Sequence, residues 1–176
     1  MTIYALSSGA GVSGVAIIRI SGPETKNVLK SLTKKEIPQP RVATLRKINN
    51  INTSELIDEG LILWFPGPES YTGEDMAEIH VHGGHAVVTS LQNEISGIKN
   101  CRLAEPGEFT RLAFQNGKIN LLKAESIVDL ISAETEMQRL QAIKIMQGNS
   151  SVKFNNLREK LLKILSFVEA KIDFPE

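Results

Sequence analysis

Glu78, Arg19 and Lys118 lie far apart along the chain, and each sits where its charge needs explaining. Glu78 falls within Asp75–His82, where strand alternation puts Met76, Glu78, His80 and His82 on one face and Ala77, Ile79 and Val81 on the other. The second face is core. The first carries a carboxylate at mid-strand, which faces either solvent or a ligand. Arg19 falls near the end of Val15–Ser21 (VAIIRIS), a run apolar on both faces and therefore expected to be a central strand. A guanidinium partly buried there has to be paired. The acceptor is either an internal carboxylate or a ligand carboxylate in the bidentate geometry that arginine favours. Both readings stand. Lys118 comes directly after the turn Asn116-Gly117 and, taken alone, reads as a solvated lysine.

The run His80-Val81-His82-Gly83-Gly84-His85 invites a metal reading, because His80 and His82 share a strand face and Glu78 could complete a set. The chain has only these three histidines, and the two glycines leave the aim of His85 undefined. Hydrogen-bonded histidines at the rim of a pocket are the better reading, so no metal ligand is assigned. No residue is assigned a catalytic role either. Gly9-Ala10-Gly11-Val12-Ser13-Gly14 matches the spacing of a dinucleotide-binding loop, but the next segment is the β-branched run VAIIRIS. The loop would have to open a helix whose N-terminus takes the pyrophosphate, so an inter-strand loop fits better. A phosphate-binding GxxxxGK[ST] loop is absent from the sequence. The one Gly-Lys pair, Gly117-Lys118, is succeeded by Ile119 and has Leu112 in place of the first glycine. This chain alone is not expected to bind or hydrolyse GTP.

The elements that must position these groups divide into two regions. Residues 1–118 read as mixed α/β, with strands at Thr2–Leu6, Val15–Ser21, Arg41–Ile48, Glu59–Phe65, Asp75–His82 and Cys101–Leu103. Helices are expected from Pro23 to about Leu32, over His85–Ile95, and from Pro106 through Phe114. Residues 119–176 change to helical spacing. Leu121, Ala124, Val128 and Ile131 recur on one face, and Phe154, Leu157, Leu161, Ile164 and Val168 step by three and four along a seam. The expectation is two helices, divided near Gly148. Two helices cannot bury two seams, so partner helices are expected from a second chain or from residues beyond Glu176.

Twenty basic residues balance twenty acidic ones, and the balance holds on each side of Lys118, at 12 against 12 before and 8 against 8 after. A net basic excess for nucleic-acid binding is therefore lacking. No apolar run approaches the roughly 20 residues of a membrane span, and the N-terminus does not read as a secretory signal. The single Cys101 excludes an internal disulfide. Cytoplasmic residence is the expectation.

Four stretches carry a resemblance: VAIIRISGP (Val15–Pro23), LWFPGPESYTGEDMAEIHVHGG (Leu63–Gly84), AEPGEFTRLAFQNGKINLLKAESIVDLI (Ala104–Ile131) and VEAKIDFPE (Val168–Glu176). In this order they resemble the MnmE (TrmE) family of tRNA-modifying GTPases. The resemblance implies an α+β chain. Its N-terminal mixed-sheet α/β domain, residues 1–118, would be similar to the tetrahydrofolate-binding domain of the aminomethyltransferase and would bind a reduced folate such as 5-formyltetrahydrofolate and dimerise. Residues 119–176 would be the first helices of a truncated helical domain, with the family's GTPase domain absent from the chain. Intact members hydrolyse GTP with Mg²⁺ and K⁺. Together with the flavoprotein MnmG (GidA) they add an aminomethyl or carboxymethylaminomethyl group to carbon 5 of the wobble uridine of certain tRNAs.

The family's folate contacts carry over onto Arg19, Glu78 and Lys118. Glu78 would accept from the pterin edge, and Arg19 or Lys118 would meet the carboxylates of the folate tail. The loop Ser7–Gly14 lacks the Pro-Pro-Gly-Arg-Gly character common in the family, and the family's further contact near a C-terminal Cys-x-Gly-Lys is absent. Three competing readings are a structural dimerisation module without folate, a free-standing one-carbon transferase, and a hydrolase using His80 and His82.

Overall fold

The structure is a computed structural model that describes residues 1–9 and 11–173. Ala10 of the glycine loop and residues 174–176, the end of the last matching stretch, lie outside the described residues. The chain divides into two compact units, Met1–Lys118 and Ile119–Glu176.

The first unit is built on one mixed sheet. Its strands are β1 (Thr2–Leu6), β2 (Ser13–Ser21), β3 (Thr44–Asn49), β4 (Leu56–Phe65), β5 (Met76–Gly83) and β6 (Cys101–Leu103). They lie in the order β3-β4-β5-β2-β1-β6, antiparallel throughout except where β1 meets β6. The apolar run of β2 is central, as a strand with apolar residues on both faces requires. One face of the sheet carries Ile18, Ile20, Ile62, Trp64, Ala77 and Ile79, all buried. Helices α1 (Thr25–Thr33) and α2 (His85–Ser96) add Val28, Leu29, Leu32, Leu91 and Ile95 to the same cluster. Burying such side chains stabilises the unit by roughly 1.5–3 kcal/mol each. The other face carries Arg19 and Glu78.

Helix α1 starts two residues later than Pro23 suggests. Gly22 has φ +133, and a Cβ there would lie 2.6 Å from the Thr2 Cα, so only glycine lets β2 turn against β1. The Thr25 hydroxyl then donates to the Gly22 carbonyl at 2.8 Å and closes the turn.

A third helix, α3 (Glu108–Gln115), is fixed at its start rather than by a large apolar face. Glu108 is 4% exposed. It accepts from Arg102 Nη1 at 2.8 Å, Arg111 Nη2 at 3.0 Å and the Glu105 backbone N–H at 2.9 Å. The Arg102 hydrogen bond is the main cause that holds its carboxyl down to about 2, against the opposing effect of burial. The acid also sits at the positive end of the helix dipole.

Among the described residues the second unit contains three helices, α4 (Leu121–Ile131), α5 (Glu136–Met146) and α6 (Asn149–Asp173), where the periodicity predicts two. The extra break lies at residues 132–135. Thr135 accepts from the Gln138 N–H while Gln138 reaches back to the Thr135 backbone, a reciprocal cap that starts a new helix. Asn120 caps α4 in a similar way, accepting from the Lys123 N–H at 2.8 Å. The expected seam lies along α6, and Phe154, Leu157, Leu161, Ile164 and Val168 are each half exposed or more. No described helix is long and apolar enough to cross a membrane.

Because the folded carboxyl of Glu108 titrates below its unfolded value, its contribution is present above the ordinary carboxyl range and is lost as pH falls toward about 2. Glu108→Gln is expected to cost about 1–3 kcal/mol near pH 7. Urea denaturation of both proteins should show that gap narrowing from about pH 5 to pH 3.

Candidate functional site

The register of the two central strands sets Arg19 directly opposite Glu78. Directly opposed residues point to the same face, so the two side chains meet above the sheet. Arg19 donates through Nε at 3.1 Å and Nη2 at 2.9 Å, both to Glu78 Oε1. The two side chains are 30% and 17% exposed, so the pair is screened from water without being sealed in. Of the two acceptors open to Arg19 in the sequence, the structure shows the internal one.

Two aromatic rings flank the arginine of the pair. The guanidinium carbon of Arg19 lies 5.7 Å from the ring centroid of Tyr71 and 5.7 Å from that of Phe109, within cation–π range of both. Tyr71 belongs to the loop Pro66–Asp75 between β4 and β5, and Phe109 to the first turn of α3. The Tyr71 and Thr110 hydroxyls bond at 3.0 Å and tie loop to helix. Beneath them the buried Ser21 and Thr72 hydroxyls bond at 2.7 Å, and Ser21 also donates to Glu74 Oε2 at 3.0 Å. Asn116 Nδ2 donates to the Thr72 carbonyl at 2.7 Å and fixes the far end of α3 to the same loop.

Lys118 reaches this loop from beyond α3. Gly73 has φ +82, and a Cβ there would lie 3.2 Å from Lys118 Cε and 3.3 Å from Asn116 Cβ, so the lysine packs closely where glycine leaves room. Lys118 forms no ion pair with Glu78 among the described residues. Arg19 and Glu78 are thus joined directly, and Lys118 is linked to them through the loop.

Each histidine has a hydrogen-bond partner. His80 Nε2 lies 3.3 Å from Glu78 Oε2. The Asp58 carboxylate receives the His82 backbone N–H at 2.8 Å and its Nδ1 at 2.8 Å. Burial pushes the Asp58 carboxyl up, but the His82 and Glu59 bonds together outweigh it and hold it below the ordinary value. His85 Nδ1 lies 3.4 Å from the Thr89 hydroxyl. Among the described residues, no three metal-ligating side chains converge.

The open face has an apolar margin. Leu45, Leu61 and His80 succeed one another across β3, β4 and β5, and Leu45 and Leu61 are exposed, as is Val15 on β2. Chemically, the arrangement offers a shielded carboxylate with unused acceptor capacity, flat rings beside the arginine that holds it, and an ammonium group at the loop end. That donor and acceptor set suits a flat heterocycle with an anionic tail.

Comparison with known proteins identifies the family. The family model described as "GTP-binding protein TrmE N-terminus" matches residues 2–118, and that described as "MnmE helical domain" matches residues 121–176. The chain belongs to the MnmE (TrmE) family. It is 77% identical over its whole length to the tRNA modification GTPase MnmE of Pelagibacter ubique (strain HTCC1062), of which it covers 40%. It is 44% identical over 99% of its length to the MnmE of Parvibaculum lavamentivorans, again covering 40% of that protein. It is also 48% identical over 99% of its length to the human 5-taurinomethyluridine-[tRNA] synthase subunit GTPB3, mitochondrial, covering 36% of that protein. The chain therefore spans about 40% of the length of these MnmE relatives. The mixed-sheet unit and its succeeding helices agree with the α+β architecture expected of the TrmE N-terminus and the MnmE helical domain.

Sequence reasoning missed Tyr71, Phe109 and the Ser21–Thr72–Glu74 cluster. No spacing rule marks them, because they come from a loop and a short helix that meet only in the folded unit. A double-mutant cycle of Arg19→Met and Glu78→Gln, read by urea denaturation, should give a coupling of about 1–3 kcal/mol. A coupling near zero would mean that the pair does not hold the site together.

Proposed function

We propose that this chain is the N-terminal part of a tRNA modification GTPase, and that the face bearing Arg19 and Glu78 binds a reduced folate. The observation that supports this most is Glu78, a mid-sheet carboxylate only 17% exposed, held at one oxygen by Arg19 beneath Tyr71 and Phe109. A pterin presents a ring N–H and an exocyclic amine side by side, which suits a fixed carboxylate acceptor. Because Nε and Nη2 of Arg19 already serve Glu78, Arg19 orients the carboxylate, and Lys118 is the cation that meets the carboxylates of the folate tail. The folate would supply the one-carbon unit. The residues of this chain bind and orient it and keep water from part of the ring.

The wider role comes from the family. The protein would act as a homodimer through this N-terminal unit, with the flavoprotein MnmG (GidA) and tRNA as partners in the cytoplasm. Its product would be the aminomethyl or carboxymethylaminomethyl group at carbon 5 of the wobble uridine. GTP, Mg²⁺ and K⁺ would be bound by a GTPase domain, whose phosphate loop this sequence does not contain.

A second reading has its own support. Arg19 neutralises Glu78 internally, so the pair needs no ligand, and Val15, Leu45 and Leu61 are exposed apolar side chains on the sheet. This favours a structural dimerisation module that does not bind folate. Titration with 5-formyltetrahydrofolate separates the two. Folate binding predicts a saturable heat signal, a melting temperature that rises with ligand, and loss of both in Glu78→Ala. No heat and an unchanged melting temperature, with a concentration-dependent dimer in ultracentrifugation, would favour the structural module.

A further inference from the structure

An ionised carboxylate has about four acceptor positions, two on each oxygen. On Glu78, Arg19 fills Oε1 with two donors, at 3.1 and 2.9 Å. Oε2 meets His80 Nε2 at 3.3 Å. The carboxylate has no proton to give, so Nε2 is the donor and carries the hydrogen. One position is left.

The pterin edge assigned to Glu78 brings two donors. Three internal bonds and two incoming ones exceed the four positions available, so one internal bond must yield. Arg19 is the poor candidate. Its bonds are the shorter ones, they join two opposite charges, and its guanidinium has the Tyr71 and Phe109 rings over it. The His80 bond is the longest of the three, and its ring is 25% exposed. Its cross-strand neighbours are Ile17 and Leu61, which offer no competing charge.

We propose that His80 is a displaceable placeholder on Glu78. It occupies the acceptor position that a two-donor heterocycle needs, and it leaves when such a ligand enters. This rests on the reading of Glu78 as the pterin contact. It adds a selection rule. A ligand with one donor can join the occupied carboxylate as it stands, whereas a ring N–H paired with an amine has to break the histidine bond. The affinity for a folate thus carries the cost of releasing His80, and removing the histidine should recover it.

The test compares wild type with His80→Phe, which keeps a ring and removes the donor, and with His80→Gln, which retains an N–H donor. Calorimetric titration with 5-formyltetrahydrofolate should show His80→Phe binding about three- to tenfold tighter than wild type. His80→Gln should stay within about twofold of wild type. The wild-type protein supplies a second readout that needs no substitution. The His80 ring resonances in long-range proton–nitrogen spectra should shift on saturation with 5-formyltetrahydrofolate. They should stay in place with p-aminobenzoylglutamate, which has the tail and no pterin. The inference alone is overturned if wild type binds the folate and His80→Phe binds it no tighter, or if the His80 resonances are the same free and saturated. An absence of folate binding by wild type would overturn the underlying reading of Glu78, and this inference with it.

Discussion

A charged pair placed across the two middle strands of a sheet is costly unless it is well held, and Arg19–Glu78 sets the demands that the surrounding structure meets. Partial burial costs each ion several kcal/mol of hydration, and removing one partner would strand the other. The register between β2 and β5 satisfies the first demand by placing the two residues opposite each other. The rings of Tyr71 and Phe109, within cation–π range of the guanidinium, offset part of the hydration that Arg19 loses. Those rings must then be fixed themselves. The buried Ser21–Thr72–Glu74 bonds fix the loop, Asn116 ties the loop to the end of α3, and Glu108 with Arg102 fixes the start of α3. A short helix is thereby bonded at both ends, with Phe109 in its first turn.

The same pair explains how the charged groups divide their work. Arg19 spends Nε and Nη2 on one oxygen of Glu78, which fixes the acid in place and leaves capacity on the other oxygen. Lys118 enters from the loop side, where Gly73 has no side chain to keep it out. The unit that carries these groups, residues 2–118, is the part of the chain that matches the TrmE N-terminus.

Much of the sheet was legible in the sequence, because β-branched runs bounded by glycine and proline leave few alternatives. The alternation in Met76–His82 separated the core face from the face of Glu78 correctly, and VAIIRIS declared its central place by being apolar on both sides. The partner of Arg19 was not legible. Whether a buried arginine meets an internal acid or a ligand depends on strand register, and no local pattern specifies that across 59 positions. Tyr71 and Phe109 were hidden for a related reason, since loops and short helices choose their neighbours through tertiary packing. The break between α4 and α5 was within reach. Thr135 and Gln138 have the spacing of a reciprocal cap, but the apolar periodicity of 121–131 and 154–168 drew the reading to two helices.

A crystal structure of the chain grown with 5-formyltetrahydrofolate tests the central claim most directly. The account predicts the pterin ring beside Tyr71 or Phe109, with its N–H and amine on the Glu78 carboxylate, Arg19 still on Oε1, and the tail reaching Lys118. A folate bound elsewhere on the unit, with Glu78 touching only Arg19 and His80, would contradict it.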